Sequence, residues 1–207
     1  MTYQTDQERF WTEEFGSEYM KRNDSEILKK SCVNQFHEIL TRFPQIRSAT
    51  EFGSNIGNNI EALSQLNKEL DLTAIEINPK AAEILRAKNI CRVINESILD
   101  YTPDHHSDMT FTSGVLIHIN PDFLPGFYER LYATSSKYIL LIEYYNPTPV
   151  AIDYRGHKDR LFKRDFAGDM MDLYPDLTLE DYGFFYNRDS RYPIGSNTNW
   201  FMMKKAG

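Results

Sequence analysis

The chain has 207 residues, a size that suits one domain with a sizeable hydrophobic core. Hydrophobic residues make up 41% of the sequence and aromatic residues 14%, which argues against a disordered chain. The formal net charge of -7 disfavours DNA or RNA as a partner, because an acidic protein repels a polyanion.

Cysteine usage and the N-terminal residues indicate where the protein works. Cys32 and Cys91 stand far apart without a CxxC motif, which is typical of a chain in the reducing cytoplasm. The acidic start MTYQTDQERFWTEEF lacks an apolar run, so we expect neither a secretion signal nor a membrane span. No set of His, Cys and Asp residues has metal-ligand spacing, and we expect no metal ion.

Helices are predicted before the first strand. The aromatic and acidic stretch 6–20 has the character of a helix or turn, and Asn23 with Glu26 three positions later resembles a capping box. Apolar residues then recur at helical spacing from Leu28 to Phe43, directly before a proline that ends the helix.

Strands and helices alternate through the middle of the chain. Strand patterns occupy 49–52, 72–77, 90–94, 108–113 and 138–145. Asn78 followed by Pro79, and Asn120 followed by Pro121, are signals for the start of a helix. This alternation predicts right-handed crossovers and a parallel sheet.

The last third of the chain contains a polar stretch and is predicted to hold a helix and two strands. For the polar stretch 153–158, acceptor binding is the favoured interpretation and a solvated loop is the alternative. A helix is predicted over Arg160–Leu173. Two strands follow near 177–186 and 199–204. No helical pattern separates them, so we expect these two strands to pair antiparallel.

The tetrapeptide EFGS occurs twice, and its surroundings distinguish the two copies. The first copy, at 14–17, does not follow a predicted strand. The second copy, at 51–54, ends the first predicted strand and continues through Asn55 and Gly57 into a helix. Gly53 in this turn lets the backbone bend and lets a ligand lie close. We therefore predict a ligand site at the second copy.

Two nucleotide cofactors compete for this turn. Dinucleotide enzymes use GxGxxG to hold a pyrophosphate at a helix N-terminus, but here Asn55 replaces the second glycine and the third is displaced. Glu51 would repel a pyrophosphate, whereas it can receive the amino group of S-adenosylmethionine (SAM). Glu76 closes the second strand, near the spacing expected for an acid that binds ribose hydroxyls.

The motifs EFGSNIG, AIEINP and SDMTFTSGVLIHINP resemble those of class I SAM-dependent methyltransferases, over about 49–145. WTEEFGSEYMKRN, TSGVLIHINPDFLP and YYNPTPVAIDYRGHKDRLFKRDFAGDMMD resemble the pseudaminic acid biosynthesis-associated methylases across nearly the whole chain. The resemblance implies one Rossmann-like α/β domain over 1–207. It implies a mostly parallel seven-stranded sheet with an antiparallel last strand and helices on both faces. Residues 1–45 would form a helical lid, here called the cap, over a core at 46–207.

The resemblance also implies SAM as cofactor, S-adenosylhomocysteine (SAH) as product, and a set of binding residues. Glu76 would bind the ribose, and a guanidinium at position 22 would pair with the SAM carboxylate. Ser97 falls where the family has an acid for the adenine amine, with Glu96 one place early, so the adenine contact stays open. The SAM-binding set is Tyr19, Arg22, Glu51, Gly53, Asn55, Gly57, Glu76, Ile77, Ser97, Ile98, Ser113, Gly114 and Val115.

Methyl transfer requires an aligned nucleophile, exclusion of water and, for a hydroxyl or ammonium, removal of a proton. His118 follows the fourth strand and is a candidate base, with packing in a helix turn as the alternative. Glu143 is the second catalytic candidate, since a buried acid in an apolar strand needs a partner or a role. Candidate acceptor-binding residues are Tyr145, Asn146, Tyr154, Arg155 and His157, with Tyr186, Arg191 and Tyr192 as weaker candidates.

These features predict a cytoplasmic enzyme that methylates an oxygen or nitrogen of a small polar molecule. The expected acceptor is a sugar or nucleotide sugar in surface glycan biosynthesis, with no nucleic-acid or membrane partner. A non-catalytic SAM-binding regulatory protein remains an alternative, as does an NAD-dependent oxidoreductase, which the glycine spacing disfavours. Protein methylation is a further variant. The sequence gives no oligomeric state.

Overall fold

The computed structural model describes residues 3–192 and 197–206, and the side chains of 14, 17, 21 and 157–159 lie outside the described part. The helices are α1 (Asp6–Thr12), α2 (Glu14–Asn23), α3 (Glu26–Leu40), α4 (Asn58–Leu66), α5 (Pro79–Lys88), α6 (Leu124–Thr134) and α7 (Phe166–Leu173). The strands are β1 (Ser48–Phe52), β2 (Asp71–Ile75), β3 (Arg92–Ile94), β4 (Ser107–Ser113), β5 (Ser135–Glu143), β6 (Val150–Tyr154), β7 (His157–Lys163), β8 (Leu177–Phe185) and β9 (Thr198–Lys205). Within these ranges, no helix combines the length and apolar character needed to cross a membrane.

Seven strands form one sheet in the order β3-β2-β1-β4-β5-β9-β8. Neighbouring strands are parallel from β3 through β2, β1 and β4 to β5. Strand β9 runs antiparallel to both of its neighbours, β5 and β8. The predicted mostly parallel sheet with an antiparallel last strand is therefore confirmed. The strand order reverses between β1 and β4, and open parallel sheets bind ligands beside the carboxyl ends of strands at such a point.

Helices cover both faces of this sheet, as expected. Along β5, Ile139 and Leu141 pack into one core cluster, while Leu140 and Ile142 pack into the other. Successive side chains of a strand point to opposite faces, so a continuous apolar run fits a strand that is buried on both sides. The first cluster includes α6 and α7, and the second includes α3 and α4.

The predicted helix over Arg160–Leu173 is wrong in its first part. Strand β7 occupies 157–163 and pairs antiparallel with β6, and the two strands form a separate two-stranded sheet. Tyr154 pairs with the first residue of β7 across the two-residue turn Arg155-Gly156, whose φ angles are 50° and 84°. Two positive φ angles are typical of a type I′ hairpin turn. The helix begins only at Phe166.

The predicted capping box of Asn23 and Glu26 is also wrong. Asn23 is the last residue of α2, and its side-chain amide donates to the Tyr19 carbonyl at 3.0 Å. The N-cap of α3 is Ser25, whose hydroxyl accepts from the Leu28 amide at 3.3 Å. Because α2 continues through Asn23, the residue free to cap α3 is Ser25, directly before Glu26.

The first EFGS lies in α2, in agreement with its prediction as a non-strand segment. A Cβ atom at Gly16 would lie 1.8 Å from the Trp11 carbonyl oxygen. That same carbonyl accepts from the Asn78 side chain at 3.0 Å, which ties the cap to the loop after β2. The glycine of the first copy therefore permits the close packing of α1 against α2.

Replacing Gly57 with alanine should destabilise the fold more than replacing Gly156. Both residues have positive φ, of 81° and 84°, and alanine costs about 1–2 kcal/mol in that region. At Gly57 a Cβ would also lie 2.3 Å from Cδ1 of Leu85, whereas nothing lies within 4 Å at Gly156. Overpacking adds about 1–3 kcal/mol, which urea unfolding of both variants would measure. Equal losses would contradict the packing role of Gly57.

Candidate functional site

A cavity of about 620 Å³ opens at the carboxyl ends of β1, β2 and β4, where the strand order reverses. Its volume lies within the range of roughly 300–1,000 Å³ that is typical of small-molecule sites. Residues of α1 and α2 close one side of it, and residues of α3 and α4 line another. All the predicted SAM-binding residues except Gly57 line this cavity. Among residues 3–192 and 197–206, no group of His, Cys, Asp or Glu side chains is arranged to hold a metal ion.

The turn after β1 is fastened to the end of β2. The amides of Gly53 and Ser54 donate to the Ile75 carbonyl at 2.9 and 3.1 Å, and the Asn55 amide donates to Glu76 Oε2 at 2.6 Å. Asn55 has a φ of 49°, a left-handed conformation that asparagine tolerates better than most residues. Asparagine can therefore stand where the related motifs have a glycine without loss of the turn.

Glu76 is buried at the end of β2 and faces the cavity. Its Oε1 accepts from the Asn78 amide at 2.8 Å, and its Oε2 accepts from the Asn55 amide. Burial raises its pKa above the usual range, and these backbone hydrogen bonds oppose that shift. A carboxylate has about four lone-pair sites, so each oxygen keeps capacity for a hydroxyl donor from a ligand.

A second buried acid, Glu51, is one of a set of cavity-lining residues that each have a buried polar atom without a hydrogen-bond partner in the described part of the chain. Its Oε1 accepts from the Asn59 side chain at 2.7 Å. In the described part of the chain, Glu51 Oε2, Ser31 Oγ and Asn58 Oδ1 are buried without a hydrogen-bond partner. All three residues line the cavity. An unsatisfied buried group costs about 1–3 kcal/mol, so this set of residues fits a ligand that carries several N–H donors.

Burial raises the pKa of Glu51 to about 8. A bound ammonium group would lower this pKa and stabilise the ionised carboxylate. Sequence reasoning missed Ser31 and Asn58 as functional residues. Asn58 directly follows the glycine turn, and this position could have indicated that it lines the ligand site. Ser31 and Gln35, four residues apart on one face of α3, both line the cavity.

The cap contributes an aromatic wall. The Trp11 ring lies 5.1 Å from Tyr19 and 4.7 Å from His118, and Phe15 lies 5.9 Å from Tyr154. The Arg22 guanidinium lies 5.3 and 5.7 Å from the ring centroids of Phe15 and Tyr19. Of these aromatic residues, Trp11, Tyr19 and Tyr154 line the cavity, and the faces of such rings attract cations.

His118 ends the 3-10 turn after β4, is buried, and lines the cavity. Its Nδ1 lies 2.5 Å from the Arg160 carbonyl oxygen. Because a carbonyl only accepts, Nδ1 carries the proton, which leaves Nε2 of the neutral ring as a proton acceptor. Burial lowers the pKa of His118 to about 4, so the ring is neutral at physiological pH. The Trp11 and Tyr154 rings hold it in place.

Glu143 is placed behind the cavity wall and is absent from the lining. Its Oε1 accepts from the amides of Val115 and Leu116 at 2.9 and 3.0 Å. This buried carboxyl therefore holds the loop that leads from β4 to His118. Burial raises the pKa of Glu143 to about 7, against the opposing effect of these backbone hydrogen bonds.

Glu143 should make the stability of the fold depend on pH. A carboxyl whose pKa rises on folding adds stability below its unfolded pKa, and this stability is lost as pH rises through the folded pKa of about 7. Between pH 4.5 and 7, Glu143 should lower the free energy of unfolding of the wild-type protein by roughly 2–3 kcal/mol, and Glu143→Gln should remove this decrease. Chemical denaturation across that range would measure it. The exposed Glu129→Gln of α6 is the control, and matching pH profiles for the two variants would contradict the assignment.

The predicted acceptor residues divide into two groups. Tyr154 and Arg155 line the cavity from the β6–β7 hairpin. Tyr145 and Asn146 lie outside the lining: the Tyr145 ring lies 5.9 Å from the Phe201 ring, and the side-chain amide of Asn146 donates to the Thr148 carbonyl at 2.5 Å. The weaker candidates Tyr186, Arg191 and Tyr192 are also absent from the lining, and the side chain of His157 lies outside the described residues.

No protein-family model matches the sequence, and no curated protein matches it. The structure, in contrast, is similar to solved methyltransferases. Magnesium protoporphyrin IX methyltransferase from Synechocystis PCC 6803, with SAM bound, gives a TM-score of 0.72 at 10% identity over 100% of both chains. Mitomycin 7-O-methyltransferase gives 0.71 at 14% identity over 98% of this chain and 61% of its own. A Burkholderia thailandensis 1,6-didemethyltoxoflavin-N1-methyltransferase gives 0.69 at 12% identity over 93% of this chain and 86% of its own. The chain has the Rossmann-like α/β fold that class I methyltransferases share.

Proposed function

We propose that this protein is a SAM-dependent methyltransferase that acts on an oxygen or nitrogen of a small polar acceptor. The observation that carries the proposal is a pair of buried acids, Glu51 and Glu76, that face one cavity with unused acceptor capacity. SAM has donors to match both, because its amino group suits Glu51 and its ribose hydroxyls suit Glu76. The pyrophosphate of a dinucleotide has only acceptors to offer Glu51, and this acid would repel it.

The remaining parts of SAM find matching surfaces along the same cavity. The carboxylate of its methionine moiety would pair with the Arg22 guanidinium. The sulfonium would lie beside the aromatic wall of the cap, which favours a cation and excludes water. We therefore propose that α1 and α2 of the cap close over the bound cofactor, while α3 packs in the core against the sheet. Structural neighbours of the same fold have been crystallised with SAM or SAH.

His118 is the group we propose as general base. The acceptor oxygen or nitrogen attacks the methyl carbon as the carbon–sulfur bond breaks. The bonding electron pair goes to sulfur, which becomes the neutral thioether of SAH. Nε2 of His118 takes the proton that the acceptor loses. Glu143 contributes by holding the loop that positions His118.

The acceptor we propose is an anionic sugar or nucleotide sugar. Arg155 and Tyr154 enter the cavity from the hairpin, and Tyr144 lines it at the end of β5. An arginine fork suits a carboxylate or phosphate, and aromatic side chains provide apolar contact for a ring. The resemblance to methylases associated with pseudaminic acid biosynthesis supports a role in surface glycan synthesis. Cys32 and Cys91 are free thiols, which fits a cytoplasmic location.

The proposal is tested by incubating the protein with methyl-labelled SAM and a cytosolic metabolite extract. Mass spectrometry should find the label in an anionic sugar, and His118→Asn should abolish it. Label that enters protein alone would contradict the sugar acceptor. If SAH binds but no product forms, the protein is a non-catalytic SAM-binding module. A protein that binds NAD and not SAH would contradict the methyltransferase proposal altogether.

A further inference from the structure

Glu8 of the cap places a third carboxylate in the cavity, distant in sequence from every predicted site residue but Tyr19 and Arg22. It is buried, with 7% of its surface exposed, and lines the cavity. Its Oε2 accepts from the Gln4 and Thr5 amides at 2.5 and 3.0 Å. The other oxygen, Oε1, accepts from the Ser97 hydroxyl. Glu8 is the third residue of α1 and completes its capping box with Thr5.

The hydroxyl of Ser97 is already committed within the protein. It donates to Glu8 Oε1 and accepts from the Leu99 amide at 3.1 Å. A hydroxyl has one proton to donate, so Ser97 has no donor left for a ligand. Glu96, the alternative acid of this connection, does not line the cavity. Among the described residues, Glu8 Oε1 accepts one hydrogen bond, which leaves it a second lone pair for a ligand.

Apolar walls stand beside this carboxylate. Ile77, Ile98 and Leu99 line the same cavity, and Ile98 and Leu99 are buried. The Asn95 side chain joins this part of the cavity to Glu76, because it donates to the Glu76 and Ile77 carbonyls at 2.7 and 3.1 Å. Apolar walls with a carboxylate acceptor at their edge fit a flat heterocycle that carries an amino group. The base attached to a ribose at Glu76 would lie here.

We infer that Glu8 accepts a hydrogen bond from the exocyclic amino group of the cofactor's adenine. The inference rests on the proposed function and adds the residue that selects the base. The selecting acid would come from the N-terminal cap, and Ser97 would orient it. Recognition of adenine then requires α1 to be in place, so cofactor selection and closure of the cap depend on the same residue.

The test is calorimetric titration of wild-type protein and Glu8→Gln with SAH and with its inosine analogue. The analogue carries a carbonyl oxygen where adenine carries the amino group. Wild-type protein should prefer SAH by about 10–100-fold, because a carboxylate accepts from the amine and repels the carbonyl. In Glu8→Gln the amide can also donate, so the preference should fall to within about 3-fold. Glutamine also serves in capping boxes, so α1 should persist in this variant.

Glu96→Gln is the matched control, because it makes the same change on the β3–β4 connection outside the cavity lining, and it should keep the wild-type preference. A purely structural role for Glu8 predicts that Glu8→Gln weakens both ligands equally, and an unchanged preference would overturn the inference. In that case SAH binding to wild-type protein still supports the methyltransferase proposal. If wild-type protein binds neither ligand, both the inference and the proposed function fall.

Discussion

Replacing Glu76 with glutamine is expected to weaken binding of SAH by about 10–100-fold, because hydrogen bonds to a charged group are worth about 1.5–3 kcal/mol each. The amide can accept at only one of its two polar atoms. The other atom would meet either the Asn55 or the Asn78 amide as a second donor. The substitution therefore removes a ribose contact and disturbs the turn that approaches the cofactor. Isothermal titration with SAH measures the effect directly.

Glu83→Gln is the matched control for this prediction. Glu83 lies exposed on α5, a few residues after Glu76, so its substitution removes the same charge from the same region without touching the cavity. We expect SAH affinity to stay within a factor of about 2 of wild type, as for surface substitutions generally. Similar losses in the two variants would mean that net charge controls SAH binding and that the ribose contact is misassigned.

Replacing His118 with asparagine is expected to lower kcat by about 10²–10⁴-fold, the usual contribution of a positioned general base. Asparagine can still donate to the Arg160 carbonyl from a position close to that of Nδ1, but it has no atom in place of Nε2. SAH affinity should therefore change little. If His118→Asn lowers kcat and leaves SAH affinity unchanged, His118 acts in proton removal and has no role in cofactor binding.

The pH profile of wild-type protein supplies a second measure of the same role. The pKa of His118 is lowered to about 4, so the neutral base is present above that value and is lost below it. The kcat should be independent of this group from about pH 6 to 8 and should fall toward pH 4. An acceptor that needs no deprotonation would instead give full kcat in His118→Asn, which would contradict the assignment of the base.

The sheet and the cofactor end of the site could be predicted from the sequence because their signals are local. Apolar runs indicate the strands, and Gly53 and Glu76 each directly follow a strand. In a parallel sheet the carboxyl ends of strands meet at one edge, so residues that follow different strands lie together. This geometry needs no knowledge of side-chain contacts, and the structure brings these residues to one cavity.

The hairpin and the cap contacts lacked such signals. Strand β6 is almost wholly exposed, with Val150 at 37% and Ile152 at 40%, so no alternation of buried and exposed residues indicates it. The contact of Glu8 with Ser97 joins residues 89 positions apart and depends on how the cap folds back. The position of Glu143 in a strand was predictable, but the direction of its carboxyl toward two backbone amides required the tertiary structure.

Aromatic side chains of the cap contact His118 and Tyr154, which are proposed for proton removal and acceptor binding. Trp11 of α1 packs on His118, and Phe15 of α2 packs on Tyr154, so these two helices touch the residues proposed for proton removal and acceptor binding. Opening of the cap would expose the cavity to water and would free one face of the imidazole. As proposed, the cap would cover the cofactor, and it would also contribute to the burial that lowers the pKa of His118 and keeps the ring neutral.

A crystal structure with SAH bound tests the central claim most directly. The ribose hydroxyl oxygens should lie within about 2.5–3.0 Å of the Glu76 carboxylate, the usual length of such hydrogen bonds. The amino group should contact Glu51 Oε2, which has no hydrogen-bond partner among the described residues. SAH seated elsewhere, or a cavity left empty at saturating SAH, would contradict the account.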